Sequence, residues 1–197
     1  MNYVFYDLET TGLNPFHCKI TELCFIKQLP LDFNEQKFIT LIDPEEPIPS
    51  IVTKITGIDD FMVNNKPKFG QVSQQLLHFI NGEEQKVYFI AHNNDGYDKL
   101  VLTSHFKRIG IDIKKFQWVF LDTLLIAKKM YPQLKKYNLK SLCQHFKLEV
   151  LEAHRAEADT LMLKHLFYRM IKDLPKVLGI SLDSILKNPQ IIYDFIN

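Results

Sequence analysis

Hydrophobic and polar residues alternate with the period of a β-strand in five stretches, at about 2–8, 20–28, 36–42, 86–91 and 117–121, where β-branched and aromatic side chains concentrate. The first three lie close enough in sequence to pair as an antiparallel meander. The last two are separated by segments of helical spacing. Apolar positions three and four apart recur at about 68–81, 97–109, 122–130, 138–146 and 156–172, the last with Ala158, Leu161, Met162, His165 and Leu166 on one face. Asn138 and Ser141 mark the start of a capped helix. A meander completed by helix-linked strands predicts an α/β domain, a central mixed five-stranded sheet flanked by helices. Within residues 174–197, Pro175, Gly179, Ser181 and Pro189 punctuate an apolar stretch. It is expected to form a short helical appendage packed on the body formed by 1–173, because an exposed tail of that composition would associate.

With 197 residues, 46% of them hydrophobic, the chain can bury a sizeable core as one domain. Cys18, Cys24 and Cys143 form neither a paired framework nor a zinc-binding spacing, and are expected as buried thiols of a reducing compartment. No apolar window approaches the roughly 20 residues that span a bilayer, so a soluble, intracellular, cytoplasmic protein without membrane contact is expected. The net charge of +1 does not by itself announce a nucleic-acid binder. Locally, Lys128, Lys129, Lys135, Lys136 and Lys140 with Tyr131 and Tyr137 interleaved form either a phosphate-contacting surface beside a stacking platform or a solvated helix face.

The chemistry concentrates in acidic islands. Asp7 and Glu9 stand two apart on the first predicted strand and so project from one face, beside core-like Val4 and Phe5. Two carboxylates that close repel unless a cation lies between them, and a hard divalent ion with oxygen ligands serves best. Further islands lie at Asp95 and Asp98, either of which could complete such a site, and at His154 with Asp159. Asp122 reads as the cap of the helix that follows it, and Asp95 as a turn or cap residue.

Three segments, Tyr6-Asp7-Leu8-Glu9-Thr10-Thr11-Gly12, Ala91-His92-Asn93-Asn94-Asp95-Gly96-Tyr97-Asp98 and His154-Arg155-Ala156-Glu157-Ala158-Asp159, resemble in order the three motifs of the DnaQ-like DEDDh 3′–5′ exonucleases. The resemblance spans about residues 1–172 and extends to Ile42-Asp43-Pro44, Ile55-Thr56-Gly57-Ile58 and Leu121-Asp122-Thr123. It implies an RNase H-like fold, with two magnesium ions, replaceable by manganese, held by Asp7, Glu9, Asp98 and Asp159, Asp7 bridging them. The middle motif is spaced as in the TREX-like branch, which selects Asp98 over Asp95. By the same resemblance His154 is the general base on the attacking water, a task suited to a histidine that titrates near neutrality. The turn Thr10-Thr11-Gly12 would cradle the 3′-terminal nucleotide, with His92, Asn93 and Tyr97 beside it. Leu13 would wedge near the terminal base, or else serve as a plain core residue.

The implied reaction removes nucleoside 5′-monophosphates from a free 3′ end, single strands favoured and DNA slightly over RNA. A partner polymerase or repair complex, or a second copy paired along a 36–42 edge strand, fits the same picture. Two other readings are a non-catalytic nucleic-acid-binding or docking module and a phosphodiesterase for very short oligonucleotides. Retention of every acidic position argues against the first.

Overall fold

The computed structural model describes residues 2–29, 34–81, 86–151 and 155–197. Its five strands are β1 (Asn2–Thr10), β2 (Ile20–Gln28), β3 (Glu35–Leu41), β4 (Val87–Ala91) and β5 (Trp118–Asp122), in the order β3-β2-β1-β4-β5. The first three form the antiparallel meander, and β4 and β5 add in parallel on the other side of β1. This is the mixed sheet that the hydrophobic pattern predicts. Ten α-helices and one short 3-10 helix, Ile113–Lys115, are described. The connection from β3 to β4 contains α1 (Ser50–Thr56), α2 (Asp60–Val63) and α3 (Phe69–Asn81), and α4 (Asp98–Arg108) links β4 to β5. After the sheet come α5 (Thr123–Met130), α6 (Leu139–His145) and α7 (Ala156–Ile171).

Period two on β1 divides the protein into two layers. Tyr3 and Phe5 point into one core with Leu142, Leu163, Leu166 and Phe167 of α6 and α7; Val4, Tyr6 and Leu8 point into the other with Leu76, Val101, Leu102 and Phe106 of α3 and α4. Each fully buried aromatic or aliphatic side chain contributes on the order of 1.5–3 kcal/mol. Asp7 and Glu9 continue the face of Tyr3 and Phe5, so the strand alternation that fills a core also aims two carboxylates at α7. The three cysteines are free and buried.

Residues 174–197 form α8 (Leu174–Leu178), α9 (Leu182–Lys187) and α10 (Gln190–Ile196), and their Leu174, Ile185 and Ile192 join the α7-side core. Helix α10 lies along β5, and Lys86, just before β4, donates from Nζ to Gln190 Oε1 at 2.6 Å. The opposite edge, β3, is the strand at 36–42 that the sequence marks as an edge. Among the described residues no helix is long and apolar enough to cross a membrane.

Candidate active site

Registered pairing of β1 with its parallel neighbour stops at Phe5 opposite Ile90, while its pairing with β2 runs on to Thr10. Past that point β1 has an open side, at the carboxyl ends of the parallel strands, where α/β sheets place their ligands. Asp7 and Glu9 lie there. Carboxylate oxygens of Asp7, Glu9 and Asp159, the last in the first turn of α7, lie within 4.8 Å of one another. Asp98 is the first residue of α4; it is buried, and its carboxylate accepts the backbone N–H of Leu8 on the open side of β1. It stands outside the close group of three, yet its charge is the second largest influence on Asp7 after burial.

Burial and mutual repulsion raise Asp7, Glu9 and Asp98 above the usual carboxylate range. Asp7 is raised strongly, by burial first and then by Asp98, Glu9 and Asp159. Glu9 is pushed up to about 7 by burial, Asp159 and Glu22, with Arg155 opposing, and Asp98 to about 8 by burial, with Asp122 and Glu9 adding to it. A set of oxygen donors that cannot all ionise unaided fits hard divalent cations, which remove the penalty by supplying positive charge.

Two loops frame the acids. In the first, Thr10 Oγ1 donates to the Gly12 carbonyl at 2.9 Å, Tyr97 Oη donates to the same carbonyl at 2.5 Å, and the two hydroxyls are 2.5 Å apart. Thr11 Oγ1 donates to Glu46 at 2.6 Å, and Arg108 donates to the carbonyls of Phe16 and Cys18. The turn is thus braced from α4 and from the segment after β3. Leu13 is 91% exposed at its tip, which corrects the core reading of that residue.

The middle loop is organised by Asn94, which the sequence did not single out, and by a second task of Asp122 beyond its expected cap. Asp122 caps α5 through the Leu124 N–H at 2.8 Å, as expected, and also accepts the N–H groups of Asn93 and Asp95 at 3.0 and 3.2 Å. Buried Asn94 accepts from Tyr6 Oη at 2.5 Å and donates to the Leu121 carbonyl. Asn93 is exposed, with φ 63°, and its Oδ1 would lie 2.6 Å from a Cβ on Gly96, so the absence of a side chain at 96 lets the Asn93 amide lie against the turn.

One sequence expectation narrows here, the turn-or-cap reading of Asp95, and two change. Asp95 is a turn residue ion-paired with Lys99 at 2.7 Å, while the residue before α4 is Tyr97, which makes no side-chain cap bond. His92 has both ring nitrogens engaged inside the chain, Nδ1 with Thr123 Oγ1 at 2.9 Å and Nε2 with the Tyr137 carbonyl at 2.7 Å. Tyr131 and Tyr137 are no open stacking platform: Tyr137 Oη donates to the Tyr131 carbonyl, Tyr131 Oη donates to Asp173, and both rings pack against the core. The five lysines around them are exposed. His154 lies outside the described residues, whereas the neighbouring Arg155 is bound by Glu22, a buried β2 carboxylate.

Residues 4–167 match the model of the RNase T family, described as exonucleases. Among curated proteins, the chain is 31% identical over 175 residues to a PolC-type DNA polymerase III of Caldanaerobacter subterraneus, covering 89% of this chain and 12% of that protein. It is 33% identical over 171 residues to the one from Halalkalibacterium halodurans, covering 87% and 11%. The chain therefore spans about an eighth of the length of these relatives. Among solved structures, the zinc-bound complex of E. coli exonuclease I with single-stranded DNA superposes with a TM-score of 0.77 at 17% identity, covering 94% of this chain and 43% of that one. A family match over most of the chain, on an RNase H-like sheet with its acids at the strand ends, places the protein in the RNase T family of exonucleases.

Proposed function

We propose that this chain is a divalent-metal-dependent 3′–5′ exonuclease that releases nucleoside 5′-monophosphates from single-stranded nucleic acid, with DNA favoured over RNA. The observation that carries the reading is the convergence of Asp7, Glu9 and Asp159 within 4.8 Å, with Asp98 buried beside them, in an exonuclease-family chain. Asp7, Glu9, Asp98 and Asp159 would hold two magnesium or manganese ions. Such ions supply charge that stabilises both the attacking and the leaving oxygen of an in-line phosphoryl displacement. His154 accepts the proton of the attacking water. Thr10, Thr11 and Gly12 present a pre-braced backbone turn to the terminal nucleotide, exposed Leu13 supplies an apolar contact for its base, and exposed Asn93 faces it from the middle loop. Tyr97 and His92 act by bracing these loops, because their polar atoms are already engaged. The lysines at 128, 129, 135, 136 and 140 draw in the phosphate backbone.

The named relatives are DNA polymerases, and the solved neighbour holds single-stranded DNA, which supports the substrate preference and suggests a polymerase as partner. A non-catalytic docking role is disfavoured by the retention of all four acids. The test is digestion of matched single-stranded DNA, duplex DNA and RNA with magnesium, resolved at single-nucleotide length. Shortening from a free 3′ end that stops with a 3′ block or excess chelator is expected. Equal degradation of blocked and free ends would overturn the reading.

A further inference from the structure

Glu22 is a buried acid that stands directly opposite Glu9 in the β1–β2 register, yet it is not one of the close group of three. Its charge adds to the repulsion on both Asp7 and Glu9. A carboxylate placed there is unfavourable unless it is fully partnered and serves another purpose. It is fully partnered: Arg155 Nη2 donates to Oε1 at 2.6 Å, Arg155 Nε to Oε2 at 3.0 Å, and the Ala156 N–H to Oε2 at 3.0 Å. Helix α7 has no cap from its own N-cap side chain, so this β2 carboxylate satisfies one of its first N–H groups and places negative charge at its positive end. Arg155 then contributes its carbonyl to the Asp159 N–H at 3.0 Å. One residue is therefore gripped by β2 through its guanidinium and begins the helical turn that presents Asp159.

We propose that Glu22 is a positioning residue for the metal-binding acids: its clamp on Arg155 and Ala156 fixes the first turn of α7 against β2 so that Asp159 reaches Asp7 and Glu9. This rests on the metal-dependent reading above for its catalytic consequence, but not for its geometric one. Arg155, about half exposed, serves the clamp and offsets part of the repulsion on Glu9.

The test compares the parent with Glu22→Ala, Glu22→Gln, Arg155→Ala and the Glu22→Ala/Arg155→Ala double variant. Three quantities are read: hydrogen exchange of amides 156–160 in metal-free protein, manganese affinity by calorimetry, and turnover of a single-stranded oligonucleotide against manganese concentration. Glu22→Ala is expected to speed exchange in that turn and to weaken manganese binding by about 10–100-fold, the usual range for losing a group that orients a ligand. Excess manganese should recover most of the turnover, with KM for the oligonucleotide unchanged. Glu22→Gln, which keeps one acceptor, should fall between, and it carries the test if the alanine variant fails to fold. The double variant should be no worse than the weaker single, because both remove one clamp. Exchange and manganese affinity within twofold of the parent in Glu22→Ala would overturn the proposal, as would multiplying effects in the double variant. Arg155→Ala that raises only KM would assign the guanidinium to substrate instead. A parent without nuclease activity would defeat the functional reading, while exchange and manganese binding would still decide the clamp.

Discussion

Asp7 and Glu9 are held differently from Asp98 and Asp159. The first pair rides on β1, registered residue by residue against β2, and its direction follows from strand alternation alone. The second pair sits in the first turns of α4 and α7, where the backbone is anchored to the sheet by one buried carboxylate each, Asp122 for the loop entering α4 and Glu22 for α7. A strand can be aimed by local pattern, whereas a helix start needs a tertiary partner to set its position. The site is assembled half by register and half by long-range hydrogen bonds.

The sharpest break of the strand-borne half is Asp7→Asn. Loss of this proposed ligand to the ions that would stabilise developing charge should lower turnover by roughly 10³-fold or more. Metal-free stability should rise, since a half-buried, mutually repelled acid has been removed. Turnover near the parent level, with a normal thermal shift on adding manganese, would remove Asp7 from the metal set.

On the helix-borne side, Asp98→Asn should cost nearly as much turnover, while Asp95→Ala should leave activity within about twofold and stability within the 0–1 kcal/mol of an exposed ion pair. The reverse pattern would move the ligand to Asp95. Asp122→Ala is the intermediate case. It leaves Asn93 and Asp95 N–H groups without their acceptor, so a 10–100-fold loss of activity and about 1–3 kcal/mol of stability are expected. Unchanged kinetics with lowered stability would show that Asp122 caps α5 and does nothing for the site.

The same division explains what could be read from the chain alone. The five strands, the meander, the helix at 156–171 and the aim of Asp7 and Glu9 follow from local periodicity, and the structure has them within a residue or two. Glu22, Asn94 and the second task of Asp122 were not legible, because their partners lie 27 to 134 residues away and nothing in their own neighbourhood marks them. The interleaved tyrosines misled for a related reason: a hydroxyl that donates to a carbonyl across a turn looks, in sequence, like an aromatic left free for stacking. Leu13 beside buried strand residues suggests core until the turn is seen to project it outward.

The smallest expected effect concerns the scaffold behind the first loop. His105, buried on α4, donates Nδ1–H to the Val101 carbonyl at 2.8 Å and accepts the Ile20 N–H on Nε2 at 3.2 Å, an arrangement open only to the neutral ring. Its pKa is lowered to about 4, by burial first and then by Arg108 and Lys19, the cations that face it; the Phe69 ring packs edge-on and carries no charge. Because the folded pKa lies below the unfolded value of 6.5, the unfolded chain takes up the proton first. The stabilisation is therefore complete above about pH 6.5 and is lost as pH falls toward 4, amounting to about 2 kcal/mol between pH 7 and 5. The raised carboxylates act with the opposite sign over part of this range, so the quantity to measure is a difference. Urea midpoints of the parent and of His105→Gln at pH 7 and pH 5 isolate it: the variant should start less stable at pH 7 and lose less on acidification. Equal losses in the two proteins would show that His105 does not sense pH, and that the β2–α4 contact behind the loop is held by packing alone.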